Sequence, residues 1–395
     1  MRRIRILYVS NLNLHSRGGA KTHFIELGQS LAKLGHKVLA LVPGYPPRES
    51  QSYSFNIRYI PTFKESLLAY LWVEFLRIFY LIFFIVKFQP HVIYARPIRF
   101  DIMSPLLARL FRIPYVMERN EILEDSLRMR GFSEVIIKSM KLVERINFRW
   151  SNKIVCVTEG IKREITKRYG VPQDKLIVIS NGANVEFLRP MDKRECRLKI
   201  GLAEEVFYVG FTGSFAPWHG LETLIDAARQ VKEQGYSAIK YLLIGDGALK
   251  RSLEQQVKHY GLQGEIQFLG WIAYEVIPYY INAFDVAVAP FTKDRNDIMG
   301  LSPLKLYEYL ACGCPVIASR VNGVKEVIEE SQCGYLFEPG DVEGLARRIV
   351  QAYNERNSLS GMGLKGRQLV LARYSWQSTA RALTEVLLDL LEKHD

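Results

Sequence analysis

The sequence is short of the residues that build metal and disulfide frameworks. Five cysteines occur in 395 residues, an odd number with no paired zinc-type spacing. Cys312-Gly-Cys314 is too close for the usual metal knuckle. A reduced, cytoplasmic protein without a bound metal is the expectation. There is no low-complexity tract. No glycine-rich loop reads G-x-G-x-x-G or ends in G-K-[ST], which argues against a dinucleotide fingerprint and a Walker loop. The opening "MRRIRILYVS" has an apolar run of only about five residues, shorter than a signal peptide needs. No recognised nucleic-acid module accompanies the basic balance. Acidic residues are scarce in the first half: residues 1–180 carry 29 Lys and Arg against 14 Asp and Glu, while residues 181–395 carry 24 against 27. A basic half joined to a neutral half predicts one domain facing a polyanion, such as anionic lipid headgroups or a phosphorylated acceptor.

What is present is one long apolar run, "LLAYLWVEFLRIFYLIFFIVKF" at 67–88. Its length is close to the roughly 20 residues a membrane span requires. Glu74 and Arg77 sit mid-segment on one helical face, and two central charges are costly in a bilayer. The run therefore reads as a core helix or a membrane-surface helix before it reads as a span.

Strands and helices alternate along the rest of the chain. Residues 3–10, 37–42, 92–95, 115–118, 153–158 and 177–179 read as strands of the first half. Residues 207–212, 240–244, 266–269, 286–290 and 315–319 read as strands of the second. The helical stretches between them imply parallel sheets. The expected fold is α/β, with two doubly wound Rossmann-like domains facing a central cleft. The expected boundaries are 1–185, 186–370, and a terminal helix at 371–395 packing across the junction.

Candidate chemistry falls in loops after strands. "SRGGAKTHF" puts Gly18 and Gly19 at a helix start, where free N–H groups can meet an anion. "GSFAPWHG" puts Gly213, Ser214 and His219 after a strand, and "IGDG" does the same for Gly245. In "GLSPLKLYEYLACGCPVIAS" at 300–319, Glu308 is a lone carboxylate on an apolar helix, and Lys305 lies three residues before it. Either the two form an internal ion pair, or Lys305 reaches a phosphate while Glu308 holds the hydroxyls of a ribose.

Taken in order, these segments resemble the GT-B glycosyltransferases, most closely glycosyltransferase family 4 of the bacterial surface-polysaccharide type. The segments that carry the resemblance are "RGGAKTHFIELGQSLAKLGHKV", "VTEGIKREITKRYGVPQDKLIVISNGANVEFLRP" with its Asn181-Gly182, "GFTGSFAPWHGLETLIDAA", "LLIGDGALKRSLE" and "YSWQSTARALTEVLLDLL". The resemblance implies a retaining, metal-independent hexosyl transfer from a UDP- or GDP-linked sugar, with no cofactor. The acceptor would be a lipid-linked or cell-surface saccharide, met by a cytoplasmic protein peripherally bound to an anionic inner-membrane surface. The alternatives are a GT-B nucleotide-sugar 2-epimerase and a non-catalytic sugar-nucleotide-binding partner subunit.

The same resemblance assigns Glu308 to the donor ribose and the backbone near Trp271 and Ile272 to the base. Many members have a glutamate where this chain has Gly300. Here Gly300, Leu301 and Ser302 would offer backbone N–H groups instead. Many also have an Arg and a Lys in the loop where this chain carries Ser214 or Phe215 and His219, so Lys305 and His219 are the expected phosphate ligands. The common histidine falls at Asn120. Glu118 and Asn120 are then the expected catalytic groups of the first half, with Arg96 and Arg119 on the acceptor side.

Overall fold

A computed structural model describes residues 2–15, 18–46, 53–63, 66–97, 101–129 and 131–393. Residues 16–17 of the expected opening loop lie outside the described residues. The chain divides into two compact units: residues 1–180 with 376–395, and residues 181–375. The division falls at Ser180/Asn181 and Ser375/Trp376, a few residues from the boundaries read in the sequence.

Unit 1 is a seven-stranded sheet with every pairing parallel. Its strands are β1 (Arg5–Ser10), β2 (Lys37–Pro43), β3 (Asn56–Ile60), β4 (Val92–Arg96), β5 (Tyr115–Arg119), β6 (Lys153–Cys156) and β7 (Leu176–Val178), in spatial order β3-β2-β1-β4-β5-β6-β7. The central strands are continuous apolar runs, as strands covered on both faces must be. Strand order reverses between β1 and β4, so loops after those two strands diverge and leave a crevice at their carboxyl ends. The terminal helix Trp376–Glu392 belongs to unit 1 and packs on helix Gly19–Lys33. His36 Nε2 and Thr384 Oγ1 share a buried hydrogen bond of 3.0 Å, and Trp376 is buried edge-on against the His23 ring.

Helix Leu67–Phe88 carries Arg77 fully buried. Its guanidinium meets Glu74 at 2.6 Å, Asp101 at 3.0 Å and Asn11 Oδ1 at 3.0 Å. The two mid-segment charges therefore face the fold and are held there by partners.

Unit 2 is a six-stranded parallel sheet. It comprises β8 (Phe207–Thr212), β9 (Ile239–Ile244), β10 (Ile266–Gly270), β11 (Val286–Ala289), β12 (Val316–Ser319) and β13 (Gly334–Phe337), in order β10-β9-β8-β11-β12-β13. The reversal lies between β8 and β11. The fold is thus two Rossmann-like α/β units. Two edge strands, β3 and β13, go unread in the sequence. The first, Asn-Ile-Arg-Tyr-Ile, is half exposed and lacks the apolar run of its neighbours. The second has only four residues.

Candidate active site

In unit 2 the chemistry gathers at the carboxyl ends of β8 and β11. Helix Leu304–Ala311 follows β11, and Tyr309 on it accepts a 2.7 Å hydrogen bond from the Thr212 N–H at the end of β8. That bond pins the helix to the strand end, with Lys305 one turn before Tyr309 on the same side. Lys305 is buried as a result. Its Nζ lies 3.8 Å from the centroid of the Phe211 ring and 5.7 Å from that of Phe291. It has no hydrogen-bond partner, so the internal Lys305–Glu308 pair allowed by the spacing is not made. A Cβ on Gly213 would come within 2.7 Å of the Lys305 Nζ, so the absence of a side chain there is what lets the ammonium approach the strand end. Gly245 serves the same loop: its φ is +141°, and a Cβ would sit 1.8 Å from the Gly213 carbonyl oxygen.

A buried, unpartnered ammonium is expensive. Burial holds Lys305 well below the ordinary lysine range, and the nearby Glu308 carboxylate only partly opposes this. The two rings return a little through cation–π attraction. An anion placed at the strand end would supply the missing partner.

His219 stands beside this cation and shares its neighbours. Its ring is 5.9 Å from Phe211 and 5.8 Å from Phe291. Nδ1 is 2.6 Å from the Ser214 carbonyl oxygen. A carbonyl cannot donate, so Nδ1 carries the proton and that tautomer is fixed. Glu308 is partly exposed one turn beyond Lys305. Trp271 follows edge strand β10 and is half exposed, whereas Ile272 packs its side chain against the core. Gly245 donates to the Gly270 carbonyl at 2.8 Å, which fixes that loop against the end of β9.

The Gly300–Pro303 segment departs from expectation. Its Leu301 N–H donates to the Asn322 carbonyl at 2.8 Å and is not available to a ligand. Ser302 is buried; its Oγ accepts from the Asn181 N–H at 2.9 Å and its carbonyl from Asn181 Nδ2 at 2.7 Å. Ser302 anchors the segment to Asn181, a pairing 121 positions apart that no local pattern announces.

In unit 1, Arg96, Glu118 and Asn120 come together with the start of helix Gly19–Lys33. Residues 96 and 118 close the β4–β5 ladder, one register step past the Ala95–Met117 pair. Glu118 is buried. It accepts from Tyr94 OH at 2.5 Å, Arg96 Nε at 3.0 Å, Asn120 Nδ2 at 2.5 Å and His23 Nε2 at 2.9 Å. Burial alone would raise its pKa, but His23, Arg96 and Tyr94 together hold it far below the usual carboxylate range. Glu118 is therefore a fixed anion that orients Arg96 and Asn120, and it is a poor proton acceptor. This corrects the expectation that it is catalytic. Arg96 also donates to the Ala20 carbonyl at 3.1 Å, which ties the Gly18-Gly19 turn to the cluster. Gly18 and Gly19 are exposed, and the first turn of their helix has no acidic residue. Arg119 points the other way. Alternation along β5 sends it to the opposite face, where it is buried against Glu144 at 2.8 Å and donates to the Pro97 carbonyl. It is a packing residue of unit 1, which corrects its acceptor-side assignment.

His23, Tyr94, Phe211 and Phe291 are the site residues that sequence reading missed. His23 sits one helical turn after Gly19, a spacing that could have signalled it.

Glu118→Gln is expected to lower stability at pH 7 by on the order of 2–3 kcal/mol, because charged hydrogen bonds become neutral ones. The folded pKa is depressed, so the stabilisation is full above about pH 5, begins to fall below the unfolded value of about 4.3, and is lost progressively as pH drops toward the depressed folded value. Urea midpoints at pH 7 and pH 4 should differ less in the variant than in the parent chain.

Two Rossmann-like units of parallel sheet, each with polar side chains gathered at its strand ends, are the two units of the GT-B class of architecture. The family model described as glycosyl transferases group 1 matches residues 192–369, and that of glycosyltransferase family 4 matches residues 17–187. The chain belongs to this family, the group 1, family 4 glycosyltransferases. An uncharacterized glycosyltransferase of Methanocaldococcus jannaschii is 24% identical over 377 residues, 93% of this chain and 94% of that protein. The amylovoran biosynthesis glycosyltransferase AmsK of Erwinia amylovora is 29% identical over 169 residues, 42% of this chain and 41% of its own. Among solved structures, HepE of Anabaena in complex with UDP-glucose superposes with a TM-score of 0.75 at 19% identity, covering 98% of this chain and all of that one.

Proposed function

We propose that the protein is a retaining, metal-independent hexosyltransferase that moves a sugar from a UDP- or GDP-linked donor to a lipid-linked or cell-surface saccharide. It would act on the cytoplasmic side of the inner membrane. The observation that carries the reading is Lys305: a buried amine without a partner at the switch point of unit 2, where a diphosphate would supply the negative charge that holds its proton. In this reading Lys305 neutralises the leaving diphosphate, joined by the His219 ring when Nε2 is protonated as well as Nδ1. Charge neutralisation of that kind is usually the largest single contribution to catalysis. Glu308 accepts hydrogen bonds from the ribose hydroxyls, and Trp271 and the backbone of Ile272 flank the base. Arg96 and Asn120, fixed by Glu118, hold the acceptor in unit 1, and the Gly18-Gly19 turn offers its amides to anionic oxygens.

The bond between the anomeric carbon and the diphosphate oxygen breaks as the acceptor oxygen bonds to that carbon on the same face. The acceptor proton passes to the departing diphosphate oxygen. The positive charge that the leaving group requires then comes from side chains, which is the basis for proposing metal independence. The name of AmsK supports a polysaccharide-building role, and the UDP-glucose held by HepE supports a nucleotide-sugar donor.

Thermal denaturation with UDP, GDP and their sugar conjugates tests this. The cognate nucleotide at about 100 times its Kd should add about 2.7 kcal/mol of stability. No stabilisation by any nucleoside diphosphate would overturn the donor assignment. Donor hydrolysis without acceptor, measured alongside, separates a catalyst from a binder.

A further inference from the structure

Helix Leu67–Phe88 buries a narrow row at every fourth residue: Ala69, Val73, Arg77, Leu81 and Ile85. The opposite side is apolar and open. Leu68 is 70% exposed, Trp72 43%, Phe75 52%, Phe79 55%, Phe83 53% and Val86 65%. A surface helix of a soluble domain carries charged residues there, and a contiguous patch of this kind marks an interaction site. Two further helices carry exposed apolar residues: Met103–Leu110 packs on this helix, and Glu134–Trp150 packs on Met103–Leu110. Helix Met103–Leu110 exposes Leu106 and Leu110, and helix Glu134–Trp150 exposes Val135 and Leu142.

Basic side chains accompany the patch. Lys87, Arg109, Arg112, Lys138, Arg145 and Arg149 are exposed on or just beyond these three helices. Among their described residues the one exposed acid is Glu134, which Arg128 already pairs at 3.0 Å. Aromatic rings beside basic groups match the chemistry of an anionic bilayer surface, with rings in the headgroup layer and cations on lipid phosphates. A second copy of the chain fits less well, because a two-fold contact would set this positive face against itself. A span fits worst, since it would carry Glu74 and Arg77 into the bilayer and strip Arg77 from Asp101 and Asn11.

We propose that this face of unit 1 docks on an anionic bilayer, with helix Leu67–Phe88 lying in the plane of the interface while its Arg77 row stays in the fold. The proposal deepens the reading above and rests on it for the lipid-linked acceptor. Its test uses neither donor nor acceptor, so vesicle binding and nucleotide binding can fail separately.

The experiment is co-sedimentation of the full chain with phosphatidylglycerol-containing vesicles and with pure phosphatidylcholine vesicles. Binding should favour the anionic vesicles and weaken in raised salt. Phe75→Ser with Phe79→Ser alters only exposed side chains. It should reduce partitioning about tenfold or more while leaving the melting temperature and UDP or GDP binding in place. Lys138→Gln with Arg145→Gln should remove the preference for anionic lipid. Equal partitioning of the aromatic variant and the parent chain would overturn the proposal, as would resistance of the bound protein to alkaline carbonate. A dimer in solution dispersed by the same aromatic substitutions would overturn it in favour of a second copy.

Discussion

Lys305→Met is expected to lower the transfer rate by about 100- to 1,000-fold while making the ligand-free protein more stable by on the order of 1–3 kcal/mol. The two effects have one cause. In the free protein the Lys305 amine is buried against Phe211, Phe291 and Gly213 without a hydrogen-bond partner. Methionine fills similar volume and has neither a proton to lose on folding nor an amine to leave unpartnered, so folding improves. The diphosphate then loses the cation that neutralises it, so binding and departure both suffer.

A pH signature accompanies this. The folded pKa of Lys305 lies well below the ordinary lysine value because of burial. Between that depressed value and the unfolded value of about 10.4, the unfolded chain binds more protons than the folded one. Stability of the free protein therefore rises with pH across that window. A bound diphosphate reverses the preference, so nucleotide binding should take up a proton. Calorimetry in two buffers of different ionisation enthalpy reads that uptake, and Lys305→Met should abolish it. Normal turnover in a folded Lys305→Met protein would remove the residue from the mechanism.

Arg77→Met should be the most damaging single change to unit 1, costing about 3–5 kcal/mol. The guanidinium is fully buried and holds two carboxylates, Glu74 at 2.6 Å and Asp101 at 3.0 Å. Its loss leaves both acids in a desolvated layer with no cation. A fall of roughly 10 °C in the melting temperature of unit 1 is expected for a unit of this size. Pairing Arg77→Met with Asp101→Asn should recover part of that loss, because one of the stranded charges goes with it. Thermal melts of the single and double variants check this. If the single variant melts like the parent chain, the helix is not anchored by that ion group.

The legibility of this protein was uneven for definite reasons. Central strands such as β1, β4, β8 and β11 are short apolar runs bounded by turns, and their order relative to the helices is a local property of the chain. The two doubly wound sheets followed from it. Edge strand β3 did not, because one exposed edge relaxes the demand for apolar residues, and β13 was too short to stand out. The Gly213 and Gly245 turns were visible as glycines after strands, and Lys305 was visible as a charge on an apolar helix.

The roles of neighbouring residues were not visible. Glu118 and Arg119 are adjacent in sequence, yet strand alternation sends one to the Arg96–Asn120 cluster and the other to Glu144. The Ser302 hydroxyl and carbonyl hold Asn181, a contact 121 positions away that its local pattern does not show. The 67–88 run looked equally suited to a core and to a surface, because a helix that is apolar all round does not say which side is covered. By itself the sequence determined the strand–helix order, the glycine turns and the charge asymmetry, since each depends on residues near one another in the chain. Only the tertiary structure decided that Lys305 is unpaired, that Glu118 is saturated and that Arg77 faces inward. Partnership across tens or hundreds of positions is set by which strands become neighbours, and no local pattern carries that information.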